Sequence, residues 1–303
     1  MSALLSMFSR QGIVWLFMVC CLALSACTAG RQGPSVVAPG PVSDEQAASV
    51  WAAYNAYAEA REAEEGPYRI GVSMRIGQEG DTRRVTGVVW SNGETPRASR
   101  ASGESGALGA DPAVFGPVRL DVMAGFGTVV ARLRESPGEF MAFSPRENRA
   151  VTYTGRGRVR LNMGLPAPFG LRDLSALLRG RFHEVFGRAG NGRALGVHDG
   201  NVTYALEGNE RAGTLELRPD GLPVRWREQG ERGWSMELDY AGDSAGSETG
   251  DPLPRTLRLV DAQGRSAVVL VKKREQPAQH FTADQLALKL PPGVRIEPVR
   301  EGR

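Results

Sequence analysis

The chain has 303 residues but only three cysteines, and Cys20, Cys21 and Cys27 all lie in its first tenth. The body that follows therefore has no disulfide framework and no cysteine-based zinc site. Histidine is equally scarce. His183, His198 and His280 stand far apart, and His183-Glu184 opens like H-E-x-x-H only to place Gly187 where the second zinc ligand belongs. No metal site is expected. Lysine is nearly missing too, with Lys272, Lys273 and Lys289 among 37 basic residues. The 34 acidic residues are interspersed with the basic ones and the formal charge is +3, so the arginine groups Arg156, Arg158, Arg160 and Arg179 to Arg181 do not add up to a nucleic-acid footprint. No phosphate-binding G-x-x-x-x-G-K-[ST] occurs. The glycines between Gly190 and Gly196 have the wrong spacing for a dinucleotide fingerprint. Nothing calls for a cofactor. What remains, 41% hydrophobic and 23% charged, fits one large or two small globular domains.

Long apolar runs are also wanting. The run Ile13 to Leu24 follows a single charge, Arg10, and falls short of the roughly 20 residues a membrane-spanning helix needs. It reads as the apolar region of an export signal. Leu24-Ser25-Ala26-Cys27 at its end resembles a bacterial lipobox, in which small residues precede a cysteine that becomes diacylated. The alternative is an ordinary signal peptide with an incidental cysteine; the placement of Cys27 at the end of the apolar run argues against it. The expected organisation is a signal peptide over 1–26, lipid attachment at Cys27, a Gly/Pro/Ser/Ala tether over 27–42 and a domain over 43–303. Three acyl chains, at ~0.8 kcal/mol per buried CH₂, make such an anchor effectively permanent. Thr28 rather than Asp follows the cysteine, and the resemblance to enterobacterial sorting signals implies the outer membrane, facing the periplasm.

In the body, Ser43-Asp-Glu-Gln46 has the form of a capping box. Val50, Trp51, Tyr54, Tyr57 and Ala58 then recur at helical spacing until Gly66-Pro67, predicting a helix over 44–64. After Pro67 the period changes to two, with Tyr68, Ile70, Val72, Met74 and Ile76 on one face. Further strands are predicted near 82–91, 118–123, 128–135, 139–143, 149–154, 158–162, 201–207, 212–218, 223–229, 233–240, 255–261 and 266–273, with turns at Pro137-Gly138, Asp220-Gly221 and Gln263-Gly264. Such short, tightly connected strands imply an antiparallel meander. A leucine helix between Gly170 and Gly180 interrupts it, and 92–116, 187–197 and 241–254 read as surface loops. The fold class is mainly β with α.

One motif suggests covalent chemistry. Gly242-Asp-Ser244-Ala-Gly246 satisfies G-x-S-x-G, and Asp251 or Asp261 and then His280 follow in hydrolase order. A nucleophile elbow sits between a strand and a helix, however, and Ser247-Glu-Thr-Gly-Asp-Pro-Leu-Pro254 cannot start a helix. A hairpin loop is the simpler reading, and no enzyme is expected.

Pro117 to Leu133 runs as a strand, a glycine-containing tip and an alternating return strand, and Gly164 to Gly180 as a Pro-rich turn, a leucine helix and a glycine. With the capped first helix and the lipobox, these segments resemble the LolB-like family of the LolA/LolB lipoprotein-localisation superfamily over roughly residues 43 to 290. The resemblance implies a strongly curved antiparallel half-barrel covered by a few helices, with loop insertions near 92–116 and 241–254. It also implies an apolar cavity for the acyl chains of lipoproteins, received from a LolA-like periplasmic carrier and inserted in the outer membrane. The inward-alternating candidates for that cavity are Ile70, Val72, Met74, Val88, Trp90, Leu120, Val122, Leu215, Leu217, Met236 and Leu238. A packed core uses the same residue types. Phe126, between Gly125 and Gly127, falls where the family carries an exposed apolar residue for membrane delivery. Either it enters a membrane or it folds back under the mouth helix. Two other functions stay open: a scaffold lipoprotein using the same sheet to bind a protein partner, and a periplasmic esterase using Ser244.

Overall fold

The structure, a computed structural model, describes residues 40–62, 64, 66–78, 80–93, 116–125, 127–155, 168–188, 192–207, 211–230, 233–240 and 252–298. Its first helix, α1 (Asp44–Glu62), begins where Ser43 accepts a hydrogen bond from the Gln46 backbone N–H at 3.1 Å. Val50, Tyr54, Ala58 and Arg61 form its buried stripe.

Six strands follow: β1 (Tyr68–Gln78), β2 (Asp81–Ser91), β3 (Val118–Ala124), β4 (Thr128–Ser136), β5 (Glu139–Ser144) and β6 (Arg149–Thr154). Each pairs antiparallel with the next. Two helices, α2 (Leu171–Leu178) and α3 (His183–Phe186), then lead into a second meander. It comprises β7 (Gly192–His198), β8 (Asn201–Leu206), β9 (Gly213–Leu217), β10 (Pro223–Glu228), β11 (Trp234–Tyr240), β12 (Pro254–Asp261) and β13 (Arg265–Glu275). The last of these returns to pair antiparallel with β1. The chain ends with α4 (Ala283–Leu286) and β14 (Arg295–Pro298), and β14 lies parallel to β6. The protein is thus mainly β, with one 14-stranded sheet in the order β14-β6-β5-β4-β3-β2-β1-β13-β12-β11-β10-β9-β8-β7 and a few helices.

This sheet is curved for a simple reason. Helix α2 touches β3 and β4 in one meander and β12 in the other. With strands about 4.8 Å apart, β4 and β12 would lie about 24 Å from each other in a flat sheet, twice the roughly 10–12 Å diameter of a helix with its side chains. The two meanders therefore bend toward the helix. Tight turns help at one point: Gly221, at φ +83°, lies so close to α1 that a Cβ there would meet the Tyr54 backbone nitrogen at 2.3 Å.

One segment differs from expectation, and a second, the C-terminal tail, has structure where none was assigned. The predicted loop over 187–197 contains β7, an edge strand. Its composition, Gly-Arg-Ala-Leu-Gly-Val-His, has little β preference; pairing to β8 across a bulge between Ala194 and Gly196 holds it, together with a two-bond bridge from Gly40 to Val197. The tail after Glu275 shows no periodicity in sequence, yet it crosses the outer face of the first meander. There Leu288 and Leu290 pack with Met141 and Phe143, which point away from the helices. Predicted strand 158–162 and most of the loops at 92–116 and 241–254 lie outside the described residues. The first of those loops leaves and returns through a neck in which the Gly116 N–H donates to the Gly93 carbonyl at 3.1 Å.

Arg119 holds the tail down. Its guanidinium donates to both oxygens of Asp121 at 3.1 Å and to the carbonyls of Gln285 and Ala287 at 3.0 and 2.7 Å, and it lies 5.0 Å from the Trp90 ring centroid. Arg119→Ala removes the two charge-assisted bonds to the tail, an expected loss of about 1–3 kcal/mol. Trypsin should then cut after Lys289 faster than in the native chain, and an unchanged rate would assign the tail's attachment to its leucines alone.

Candidate functional site

The face of the sheet that meets the helices is a continuous apolar surface. Ile70 pairs across to Val89 and on to Leu120 and Leu133, so one row of buried side chains runs through four strands. The second meander adds Leu215, Leu217, Trp226, Met236 and Leu238, and the helices with the residues flanking them add Tyr54, Phe169, Leu174, Phe182 and Phe186. Of the expected cavity residues, Ile70, Val72, Met74, Leu120, Val122, Leu215, Leu217, Met236 and Leu238 all belong to this cluster.

Val88 and Trp90 do not. In β2 the inward residues are Val85, Gly87 and Val89, as the partners Met74, Val72 and Ile70 require. The segment Val85 to Trp90 is apolar at both parities, and the inward place at 87 is a glycine. The alternation therefore carries no reading of which face is inside. Trp90 is on the outer face, where it carries Arg119. Cys27, Phe126 and Ser244 lie outside the described residues, although Gly125 and Gly127 frame the tip at φ +54° and +86°. Asp261 is occupied by Arg265, whose backbone N–H it accepts at 2.8 Å and whose side chain it pairs with. Among the described residues no three His, Cys, Asp or Glu side chains gather where they would hold a metal.

Large side chains fill the space between sheet and helices. Phe169 and Phe186 flank Trp226 with ring centroids 5.3 and 6.2 Å away, and Tyr57 stacks on Phe182 at 5.7 Å. Polar fastenings at the helix ends complete the closure. Tyr54 donates to the Gly187 carbonyl at 2.9 Å, Tyr204 to Ala47 at 2.7 Å and Tyr57 to Pro252 at 3.1 Å. Burial pushes the Tyr204 phenol up to about 12 and that of Tyr54 higher still, so both remain neutral donors.

The N-terminus of α2 is the most heavily fastened point. Asp173, in the first turn, accepts from the Gly170 N–H at 3.0 Å and pairs with Arg211, which enters from the β8–β9 connection and also donates to Pro168. The two side chains are 2% and 5% exposed. From the other meander, Glu135 accepts the Arg172 N–H at 2.8 Å. One helix end thus ties both halves of the sheet. Burial pushes the Glu135 carboxyl up; backbone N–H groups of Arg172 and Leu171 pull it down, and the nearby Asp173 adds to the rise. None of these residues figures among the sequence candidates. Glu135 alone carries a signal, since it shares the inward parity of Leu133 and is an acid on an apolar face.

No family model matches the chain, and no curated protein matches it. Among solved structures it is similar to a putative outer membrane lipoprotein-sorting protein domain from Vibrio parahaemolyticus, at 10% identity over 77% of this chain and 95% of that one, with a TM-score of 0.47. It is also similar to a DUF1329 family protein from Desulfovibrio piger, at 11% identity over 76% and 94% of the two chains with a TM-score of 0.48. A LolA superfamily protein from Nitrosomonas europaea aligns at 11% identity over 78% and 98%, with a TM-score of 0.45.

Two outcomes follow from the fastening of α2. Asp173→Asn takes the carboxylate from the buried Arg211 and is expected to cost about 3–5 kcal/mol in urea unfolding, whereas Asp173→Leu with Arg211→Met recovers most of it. Glu135 behaves differently with pH. A carboxyl raised in the folded state contributes stability that is complete below its unfolded pKa and is lost as pH rises through the folded value. Glu135→Gln should therefore gain on the native chain between acid pH and neutrality in a pH series of urea melts; a constant difference would mean that Glu135 does not titrate in that range.

Proposed function

We propose that the chain is a lipid-anchored protein of the outer membrane that binds the acyl chains of lipoproteins between its helices and its sheet and helps to localise them. The observation that carries this reading is the helical layer. It covers an apolar face spanning both meanders, yet its polar attachments are side-chain bonds to helix ends and loops rather than strand pairing, so it can lift as a unit. The lipobox-like Leu24 to Cys27 supplies the anchor, and Phe126 at its glycine-framed tip supplies the contact for delivery. A LolA-like carrier is the donor this reading requires. No helix among the described residues is long and apolar enough to cross a membrane.

A second reading has its own support. Trp226, Tyr54, Phe169 and Phe186 leave the interior full, as suits a scaffold that offers its sheet to a protein partner. A fluorescent fatty acid separates the two. The Cys27→Ala chain should bind it saturably and release it to acylated lipopeptide. Failure of both steps, with a protein recovered by crosslinking in the envelope, would replace the first reading by the second. Phe126→Glu should keep the fatty-acid affinity and lose transfer of lipopeptide into liposomes.

A further inference from the structure

A cleft between α2 and the ends of β1, β2 and β3 is built from a different chemistry than the interior beside it. Its lining includes Arg172, Arg179, the buried Arg181 and one acid, Glu184. Arg181 reaches Glu184 at 2.8 Å and donates to the carbonyls of Arg61 and Glu62 at 3.3 and 3.4 Å, while Arg172 lies 3.9 Å from Glu184. Arg179 is placed otherwise. It donates to the Glu64 carbonyl at 3.2 Å and lies 4.3 Å over the Tyr68 ring, and no carboxylate among the described residues comes within ion-pair distance of it. Burial pushes its pKa down; Tyr68 opposes this, Arg181 adds to it, and Glu184 and Glu64 oppose it again, leaving a net penalty that an anion in the cleft would relieve.

Hydroxyls line the floor. Tyr68 and Ser175 share a hydrogen bond, and the Ser91 oxygen accepts from the Gly93 N–H at 3.2 Å. The enclosed part measures about 20 Å³, room for one water-sized group. The Tyr68–Ser175 pair uses one of its two O–H groups internally, which leaves one hydroxyl proton for an oxygen seated beside these arginines.

We propose that this cleft is a binding site for a phosphate group, with one oxygen in the enclosed part and the others held in the mouth by Arg172 and Arg179. Planar guanidiniums in excess over carboxylates match a multiply charged tetrahedral anion better than a single carboxylate. The phosphate has two possible sources, a phospholipid headgroup or the free ion. Tyr68 and Val118 belong both to the cleft lining and to the apolar interior, so a headgroup bound here starts its acyl chains at the edge of that interior. Only this choice of source rests on the proposed function. The site itself does not.

The test is calorimetric titration of the full chain in neutral detergent with inorganic phosphate, soluble dihexanoyl phosphatidic acid, and acetate as the carboxylate control. Phosphate and the short-chain lipid should both bind. Arg179→Ala should weaken each about tenfold or more, as loss of charge-assisted bonds to an ion requires, and Arg179→Lys should weaken them less. Arg225→Ala, on the outer face between Glu216 and Glu237, should change nothing. Tighter binding of the lipid assigns the headgroup as the source, and equal binding assigns the free ion. No saturable binding of either, binding indifferent to Arg179, or acetate binding as well as phosphate would each overturn the proposal. Should Arg179→Ala fail to fold by circular dichroism, Arg172→Gln replaces it with the same expectation. Phosphate binding in a chain that binds no fatty acid would leave the site standing and remove the acyl-chain reading alone.

Discussion

The pairing of β1 with β13 makes this one structure instead of two. Each strand belongs to its own meander, and the ladder from Arg69–Glu275 to Gln78–Arg265 is the only place where the two meanders share backbone hydrogen bonds among the described residues. Without it there would be two smaller sheets and two more open edges. With it, the inner faces merge, and a helix only two turns long can be gripped from both sides. The Asp173–Arg211 pair and Glu135 therefore fasten a geometry that the central ladder creates.

The interior that results is full but not uniformly held. Its walls are strands locked by backbone ladders, whereas its cover consists of helices resting on aromatic rings and a handful of tyrosine and arginine bonds. Under the proposed function an acyl chain would displace those rings. At about 0.8 kcal/mol per buried CH₂, a long chain supplies on the order of 10 kcal/mol against the contacts it disturbs. That is the same order as the whole stability of a typical domain, so a closed resting state and a loaded state are energetically compatible.

Much of the sheet was readable from alternation, because in strands such as β1 and β11 one face is apolar and the other charged. β2 was not readable in the same way, since apolar residues occupy both parities and Gly87 blanks an inward place. β7 and the tail escaped for the opposite reason: neither carries its own pattern, and contacts from distant parts of the chain, the Gly40 bridge and Arg119, add to what holds each. The buried pair of Asp173 and Arg211 was beyond reach as well. A charged residue in a connection looks the same in sequence whether it is solvated or sealed under a helix.

The central ladder also sets an order of events for the nascent chain. β1 is made early, and β2 can shield one of its edges at once. Its other edge waits for a strand that is almost the last part of the domain to be synthesised. Until then a strand with one apolar face carries an unpaired row of backbone groups, the kind of surface on which chains aggregate. A truncation before Arg265 leaves that edge permanently open, so β13 acts as a completeness check on the polypeptide.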